Sequence, residues 1–441
     1  MFNNSNGINV GQTDKAYTTT GYKNWKTATI KFKTHQMSKV HLNCVTSLSN
    51  CLHSKPIDVL LDEERENTRS IGGKPFRGHS EKKDDVYKSL FLGIVDLLKK
   101  YDPILKTHFE TGPKNSLYCS NYIQNDLIAS ISIVIKRQLK VALINEKVSI
   151  MADETSDVGH HEQLSVVIRY FDKFKNMPIE QFVCMKRMMT VDATSIFNAL
   201  NEVVEEYEIK WENVISTCFD GAATMSGNTT GVQTKFKEKN PKSFFVHCYG
   251  HCLNLILVDS IGKDNKVTFN FFGYQLIAGL NLRFNQETLK MIESMGHLLK
   301  LETNNVDILL LSSVFNLDAA NLETEIRLLK QSTDLSECNK TNCEKWMDWL
   351  TISGTSREVI FCNVFEALKS FMVIPVTTCS CERSFSKLSI VKTKLRSVML
   401  QERLDNLLTM FIEQELAYNV DLEEVIETFK TLRPAERRME L

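Results

Sequence analysis

The sequence predicts an α/β protein built on a mixed sheet flanked by helices, and three observations carry that prediction. Three extended stretches with alternating apolar residues follow one another between Val148 and Met188. An amphipathic helix comes next, and after it a fourth apolar strand that ends at Asp220. Successive strands with short connections read as an antiparallel meander. A strand, a helix and another strand imply a crossover, which lays the fourth strand parallel to an earlier one.

Each element follows from its spacing. In the first strand Val148, Ile150 and Ala152 alternate with Ser149, Met151 and Asp153. In the second, Leu164, Val166, Ile168 and Tyr170 alternate through "EQLSVVIRYFD", and the third is "IEQFVCMKRM". Ile196, Leu200, Val203, Val204 and Tyr207 lie on one stripe of the following helix. Ahead of the sheet, "ERENTRSIGGKPFRGHSEKKDD" is polar and contains glycine, so it reads as a linker. Beyond it, Tyr87, Leu90, Phe91, Ile94 and Leu98 recur at helical spacing until Pro103 stops the run; Ile123, Leu127, Ile131 and Val134 mark a second helix. Near the end, Leu404, Leu407, Leu408, Phe411 and Ile412 form a continuous apolar stripe that must be buried.

Bulk properties exclude several classes. A chain of 441 residues with 43% hydrophobic content has material for two or three cores, so a disordered protein is excluded. No window approaches the roughly 18 uninterrupted apolar residues of a membrane span. The start, "MFNNSNGINVGQTDK", lacks a basic segment followed by an apolar one, so secretion is not expected. Twelve cysteines without framework spacing point to reduced thiols in cytosol or nucleus. Net charge is −1, yet residues 1–41 carry six lysines against Asp14 alone, and residues 383–397 carry five cations and no acid. Two basic islands in a neutral chain suit phosphate binding, although solvated helix faces would look the same.

The strand order also places carboxylates. If the strands ending at Asp153 and Asp220 are adjacent and parallel, their carboxyl ends coincide, where open α/β sheets hold their sites. Two close carboxylates resist joint ionisation unless a cation lies between them. Oxygen donors without histidine suit Mg²⁺ or Mn²⁺, and paired ions serve phosphodiester displacement. Either aspartate alone reads better as the cap of a turn, and the two together in this strand order reverse that. The chain has no G-x4-G-K-[ST] phosphate loop, no H-E-x-x-H and no G-x-S-x-G, so the enzyme classes built on them have no support.

At this point three blocks carry a resemblance. "VSIMADETSDVGHHEQLSVVIRYFD", "STCFDGAATMSGNTTGVQTKFKEKNPKSFFVHCYGHCLNLIL" and "IPVTTCSCERSFSKLSIVKTKLRSVMLQERLDNLL" are similar to blocks of hAT-superfamily DNA transposases and their domesticated relatives, nearest to the group with TTF-type or MYM-type zinc fingers. The resemblance implies an RNase H-like domain, interrupted by a helical insertion and closed by a C-terminal dimerisation region. It implies a catalytic triad of Asp153, Asp220 and Glu382, which would hold divalent Mg²⁺ or Mn²⁺. Cys248 and His251 match the family's C-x2-H motif; two ligand types alone make a weak zinc site, and a packed cysteine with a hydrogen-bonded histidine is the alternative. Leu404, Leu407, Leu408, Phe411 and Ile412 would serve homodimerisation, and Arg383, Lys387, Lys392, Lys394 and Arg396 would lie along DNA phosphates.

Two departures temper the enzymatic reading. "GYKNWKTATIKFKTHQMSKVH" resembles the second half of a TTF-type finger with His35 and His41 as zinc ligands, but the preceding cysteine pair is missing, so Zn²⁺ is expected only if the finger is complete in the full-length protein. Asp220 and Glu382 are separated by only 162 positions, short for the family's insertion. Trp346 and Trp349 in that stretch read as helix-packing residues. The expected organisation is a finger remnant over 1–45, a linker and helical segment over 46–140, the first part of the RNase H-like core over 141–262, a shortened helical insertion over 263–354, and core completion with the dimerisation region over 355–441. The expected function is a transposase-derived nuclear protein that binds DNA and dimerises, without transposition and with a regulatory role. The alternatives are an active metal-dependent transposase, or a degenerate element product or truncated gene model. DNA and a second copy are the expected partners, with no membrane and no small-molecule substrate.

Overall fold

The computed structural model describes residues 90–113, 117–220, 223–227, 231–261, 276–281, 288–332 and 342–432, together with Thr27, Ile30, Lys31 and Thr34. The chain divides into Met1–Pro75 and Phe76–Leu441, and every element below belongs to the second unit. His35 and His41, with the rest of the expected finger remnant apart from those four residues, and the linker lie outside the described residues.

Pro103 both ends one helix and starts another. Helix α1 spans Leu90–Tyr101 and α2 spans Pro103–Thr111. Asp102 Oδ1 accepts from the backbone N–H of Ile104 at 2.8 Å and of Leu105 at 3.1 Å. Proline at the first helical position lacks a donor that would be unsatisfied there anyway, so the residue that stops α1 suits the start of α2. Helix α3, Asn121–Leu143, opens on a Ser120 cap and leads into the sheet. Its last turns bury Leu139 and Leu143 against the strands. The expected boundary after residue 140 therefore falls inside a helix that belongs to the core.

The sheet has five strands: β1 Val148–Ser156, β2 Glu162–Asp172, β3 Met177–Met188, β4 Val214–Phe219 and β5 Phe244–His247. Their order is β3-β2-β1-β4-β5. The first three form the expected antiparallel meander, and β4 and β5 run parallel to β1. The crossover from β3 to β4 carries α4, Ala193–Glu206, capped by Asp192. Helix α5, Val232–Lys239, connects β4 to β5, and α6, Tyr249–Ile261, follows β5.

Strand alternation separates two faces. Val148, Ile150 and Ala152 pack with Ile196, Leu200 and Val203 of α4 and Phe236 of α5. On the opposite face pack five of the helices described after α6: α7 Thr288–Lys300, α8 Asn305–Phe315, α9 Ala319–Gln331, α10 Cys343–Leu350 and α11 Cys362–Val373. They share one apolar cluster with Phe171 of β2 and Ile215 of β4. The described helices of the stretch expected as an insertion, α7 to α10, form a packed layer of the domain. Trp346 and Trp349 lie inside it, their rings edge to face at 6.0 Å, and Trp346 Nε1 donates to the Leu299 carbonyl at 3.2 Å. Both are packing residues.

The same face continues under α12, Cys379–Val391, and α13, Gln401–Ile412. Met151, Val167 and Cys218 of the sheet meet Cys381 and Leu388 of α12 and Leu404 and Leu408 of α13. Helix α13 also closes the edge strand. Asp405 accepts from the Met185 N–H at 2.7 Å, Glu413 accepts from the Phe182 N–H at 2.6 Å, and Gln401 donates to the Met185 carbonyl at 2.7 Å. Open strand edges invite pairing with other chains, and these side chains occupy that edge. Asp405 is held in turn by Lys136 of α3 at 2.6 Å, and Arg137 reaches Glu424 of the last helix, α14 (Leu422–Leu432), at 2.6 Å. Among the described residues no helix is long and apolar enough to cross a membrane.

If the insertion is a load of this core rather than a loose remnant, Trp346→Ala should cost about 3–5 kcal/mol. Urea denaturation measures this, and a loss below about 0.5 kcal/mol, as for a surface position, would contradict the packing described.

Candidate functional site

The parallel register brings the first two acids together. Ile150 pairs with Thr217 and Met151 with Cys218, so two residues further along each strand stand Asp153 and Asp220. Met151 and Cys218 face α12, and by strand alternation the two aspartates continue that face. The third acid arrives on α12 itself. Ser165, the β2 partner of Asp153, shares a 2.7 Å hydrogen bond with Ser384, two residues after Glu382. Between these anchors Cys381 is buried among the same sheet residues.

The electrostatics agree with this convergence. Burial pushes the Asp153 carboxyl up to about 6; a hydrogen bond from the Glu154 N–H opposes it, and the charges of Asp220 and Glu382 add to the rise. Glu154, which the sequence reading passed over, rises to about 7 through burial and the charges of Asp220, Asp153 and Glu162. Its signal was the adjacent acid in "ADETSD"; alternation alone assigned it to the opposite face. The site is thus an edge at which carboxylates repel one another. Their chemistry suits a hard divalent ion; among the described residues no three His, Cys, Asp or Glu side chains are already drawn together around one. Glu382 is exposed while Asp153 is half-buried.

The C-x2-H motif sits behind this edge. Cys248 Sγ is buried and accepts from the N–H and hydroxyl of Thr378, both at 3.4 Å, and the Tyr249 N–H donates to the Val376 carbonyl at 2.9 Å. The Cys381 N–H donates to the Thr378 carbonyl at 2.9 Å, so the cysteine after β5 ties down the turn that starts α12. His251 is half-buried on α6, its ring 6.1 Å from that of His247. No zinc-holding group forms around the pair among the described residues. The packed-cysteine reading describes Cys248.

The basic island divides. Arg383 is exposed, donates to Ser380 Oγ at 2.7 Å and lies 3.9 Å from Glu180; Lys394 is exposed. Lys387 lies 4.2 Å above the Phe411 ring. Arg396 is half-buried, donates to the Val391 carbonyl at 3.5 Å, and burial lowers its pKa. Lys392 must be corrected. Its ammonium is 3% exposed and pairs at 2.6 Å with an Asp157 carboxylate that is 0% exposed, so it faces the core and not a phosphate. The hydrophobic stripe divides too. Leu404 and Leu408 are buried within the chain against the sheet, the share of the stripe that the resemblance assigns to the catalytic domain. Leu407 and Phe411 line an apolar groove of about 640 Å³ with Phe91 and Ile128, and Ile412 is half-buried.

With this geometry in place, two family models match. Residues 15–231 match the ZMYM1/FAM200 RNase-like domain, and residues 327–416 match the hAT family C-terminal dimerisation region. The chain belongs to the hAT transposase-derived family. The second match takes in α12 and α13, the helices that close the sheet and bring Glu382 to it. Among curated relatives, this hAT-derived chain is similar to the human (Homo sapiens) 52 kDa repressor of the inhibitor of the protein kinase, with 22% identity over 162 residues. That match covers 36% of this chain and 21% of the relative, so the chain spans only a fraction of the relative's length.

A carboxyl whose folded pKa is raised contributes most below its unfolded value, and that contribution is lost as pH rises through the folded value. For Asp153 the window runs from about 4 to about 6. In metal-free buffer, Asp153→Asn should therefore stabilise the protein by on the order of 1–2 kcal/mol at pH 7.5 and leave it unchanged at pH 3.5–4. Urea midpoints at the two pH values check this; equal midpoints at pH 7.5 would contradict the raised Asp153 carboxyl.

Proposed function

We propose that this hAT-derived chain acts in the nucleus as a DNA-binding, self-associating regulatory protein that has kept the transposase scaffold without strand transfer. The observation that carries the reading is the state of the acidic edge. Asp153, Asp220 and Glu382 share an electrostatic field, yet the described side chains do not group into a metal-holding set, and beside them α12 keeps Arg383 exposed and the turn after it keeps Lys394 exposed. Exposed cations on and just after α12 suit contact with a phosphate backbone. The name of the human relative, a repressor, and the dimerisation region support a regulatory, self-associating role. Leu407 and Phe411, which line the apolar groove, offer a surface for a second copy.

The second reading is an active Mg²⁺- or Mn²⁺-dependent transposase, favoured by the convergence of all three acids at one edge. In that case Asp153, Asp220 and Glu382 would hold the ions and the metal would supply activated water.

Binding to duplex DNA measured by fluorescence anisotropy across a salt series separates the readings. Affinity should fall steeply with salt, and Arg383→Ala and Lys394→Ala should each reduce the slope of log K against log salt by about 0.9. A flat salt dependence would contradict DNA binding. No nicking is expected with Mg²⁺ or Mn²⁺; nicking abolished by Asp153→Asn would instead establish the second reading.

A further inference from the structure

The correction at Lys392 leaves a charged pair without a surface role, and its surroundings show what it does. Asp157 lies just beyond the end of β1, four residues after Asp153, and Lys392 is the residue at which α12 ends, ten positions after Glu382. Besides the ammonium of Lys392, the Asp157 carboxylate accepts from the backbone N–H groups of Gly159 at 2.7 Å and His161 at 3.2 Å, and from Gln163 Nε2 at 2.9 Å. Gln163 in turn exchanges hydrogen bonds with Gln401 at the start of α13, at 3.0 and 3.2 Å. Burial alone would raise the Asp157 carboxyl, but these donors together hold it well below the usual carboxylate range. One buried anion therefore joins the β1-β2 turn, the end of α12 and the start of α13.

We infer that Asp157 and Lys392 are a positioning pair that fixes α12 and the turn after it on the sheet, so that Arg383 and Lys394 meet a phosphate backbone at a set spacing. Fastenings along its length hold the helix, Ser380 to Glu180 of β3 among them. Cys248 holds the Thr378 turn at its start, Ser165 holds Ser384 in its middle, and Asp157 holds Lys392 at its end. Lys394 lies two residues beyond the last fastening, so its place relative to Arg383 depends on that fastening. A buried ion pair is a weak source of net stability, but one partner without the other leaves an uncompensated charge. Its value here is geometric. The inference rests on the DNA-binding reading above.

The test is built so that the two can fail separately. In the full chain, Asp157→Asn, Lys392→Met and the double variant are compared with wild type by DNA anisotropy across a salt series and by amide hydrogen exchange without DNA. The double variant keeps the wild-type net charge and leaves no lone buried ion, so it serves if a single variant does not fold. A positioning pair predicts faster exchange over residues 381–396 in all three, and affinity about tenfold weaker for Asp157→Asn and the double variant, with the wild-type salt slope. Lys392→Arg should restore both. If Lys392 itself contacted phosphate, Asp157→Asn would leave affinity unchanged or tighten it, while Lys392→Met and the double variant would lower the slope by about 0.9; that outcome overturns the inference. Unchanged exchange and affinity in the double variant would overturn it too. If wild type binds no DNA but exchange still rises in the variants, the DNA-binding reading fails and the pair is a fastening of α12 alone.

Discussion

β1 is buried on both faces for its first five residues and then emerges, and most of the molecule is arranged around that constraint. A strand covered on both faces needs one apolar layer against Val148, Ile150 and Ala152 and another against Met151. The first layer comes from α3, α4 and α5, the second from α12 and α13, joined lower on the sheet by the insertion helices. Where the cover ends, the strand carries polar residues, and Asp153 is the first of them. The site is therefore a boundary of the core: its position follows from where apolar cover runs out on β1 and on its parallel neighbour β4.

The same constraint explains why the C-terminal region cannot be a detachable dimer module. Asp405, Glu413 and Gln401 of that region meet backbone groups of the edge strand β3, and Leu404 and Leu408 complete the core under it. Removing α13 would expose both an apolar face and an open strand edge, each costly in water. Leu407 and Phe411 pack against the same core and line the groove beside it. The region that matches the dimerisation model thus also completes the fold of a single chain.

The fold was legible because strand alternation and strand order are local and repetitive signals. The meander, the crossover and the parallel placement of β4 all follow from apolar residues spaced by two and by three or four. The convergence of Asp153 with Asp220 was legible for the same reason, since parallel neighbours align their carboxyl ends. Other features depend on partners distant in sequence. Lys392 sits in a run of cations that looks like an exposed face, and only Asp157, 235 positions away, reveals that it turns inward. Pro103 was readable as a stop but not as a start, because the Asp102 cap that makes it one also suits a simple turn. The Leu404 stripe showed that a face is buried and not what buries it. Cys248 had a partner, Thr378, that no spacing connects to it.

The account turns on the nearness of Asp153 and Asp220 across the β1-β4 pair. The most direct measurement is the titration of the Asp153 side-chain carboxyl by carbon-detected NMR in wild-type protein and in Asp220→Asn, both metal-free. With the charge of Asp220 gone, the Asp153 midpoint should drop from its raised value toward the ordinary carboxylate range while burial keeps it from returning fully. An unchanged midpoint would mean that the two side chains do not share an edge, and the site described here would not exist.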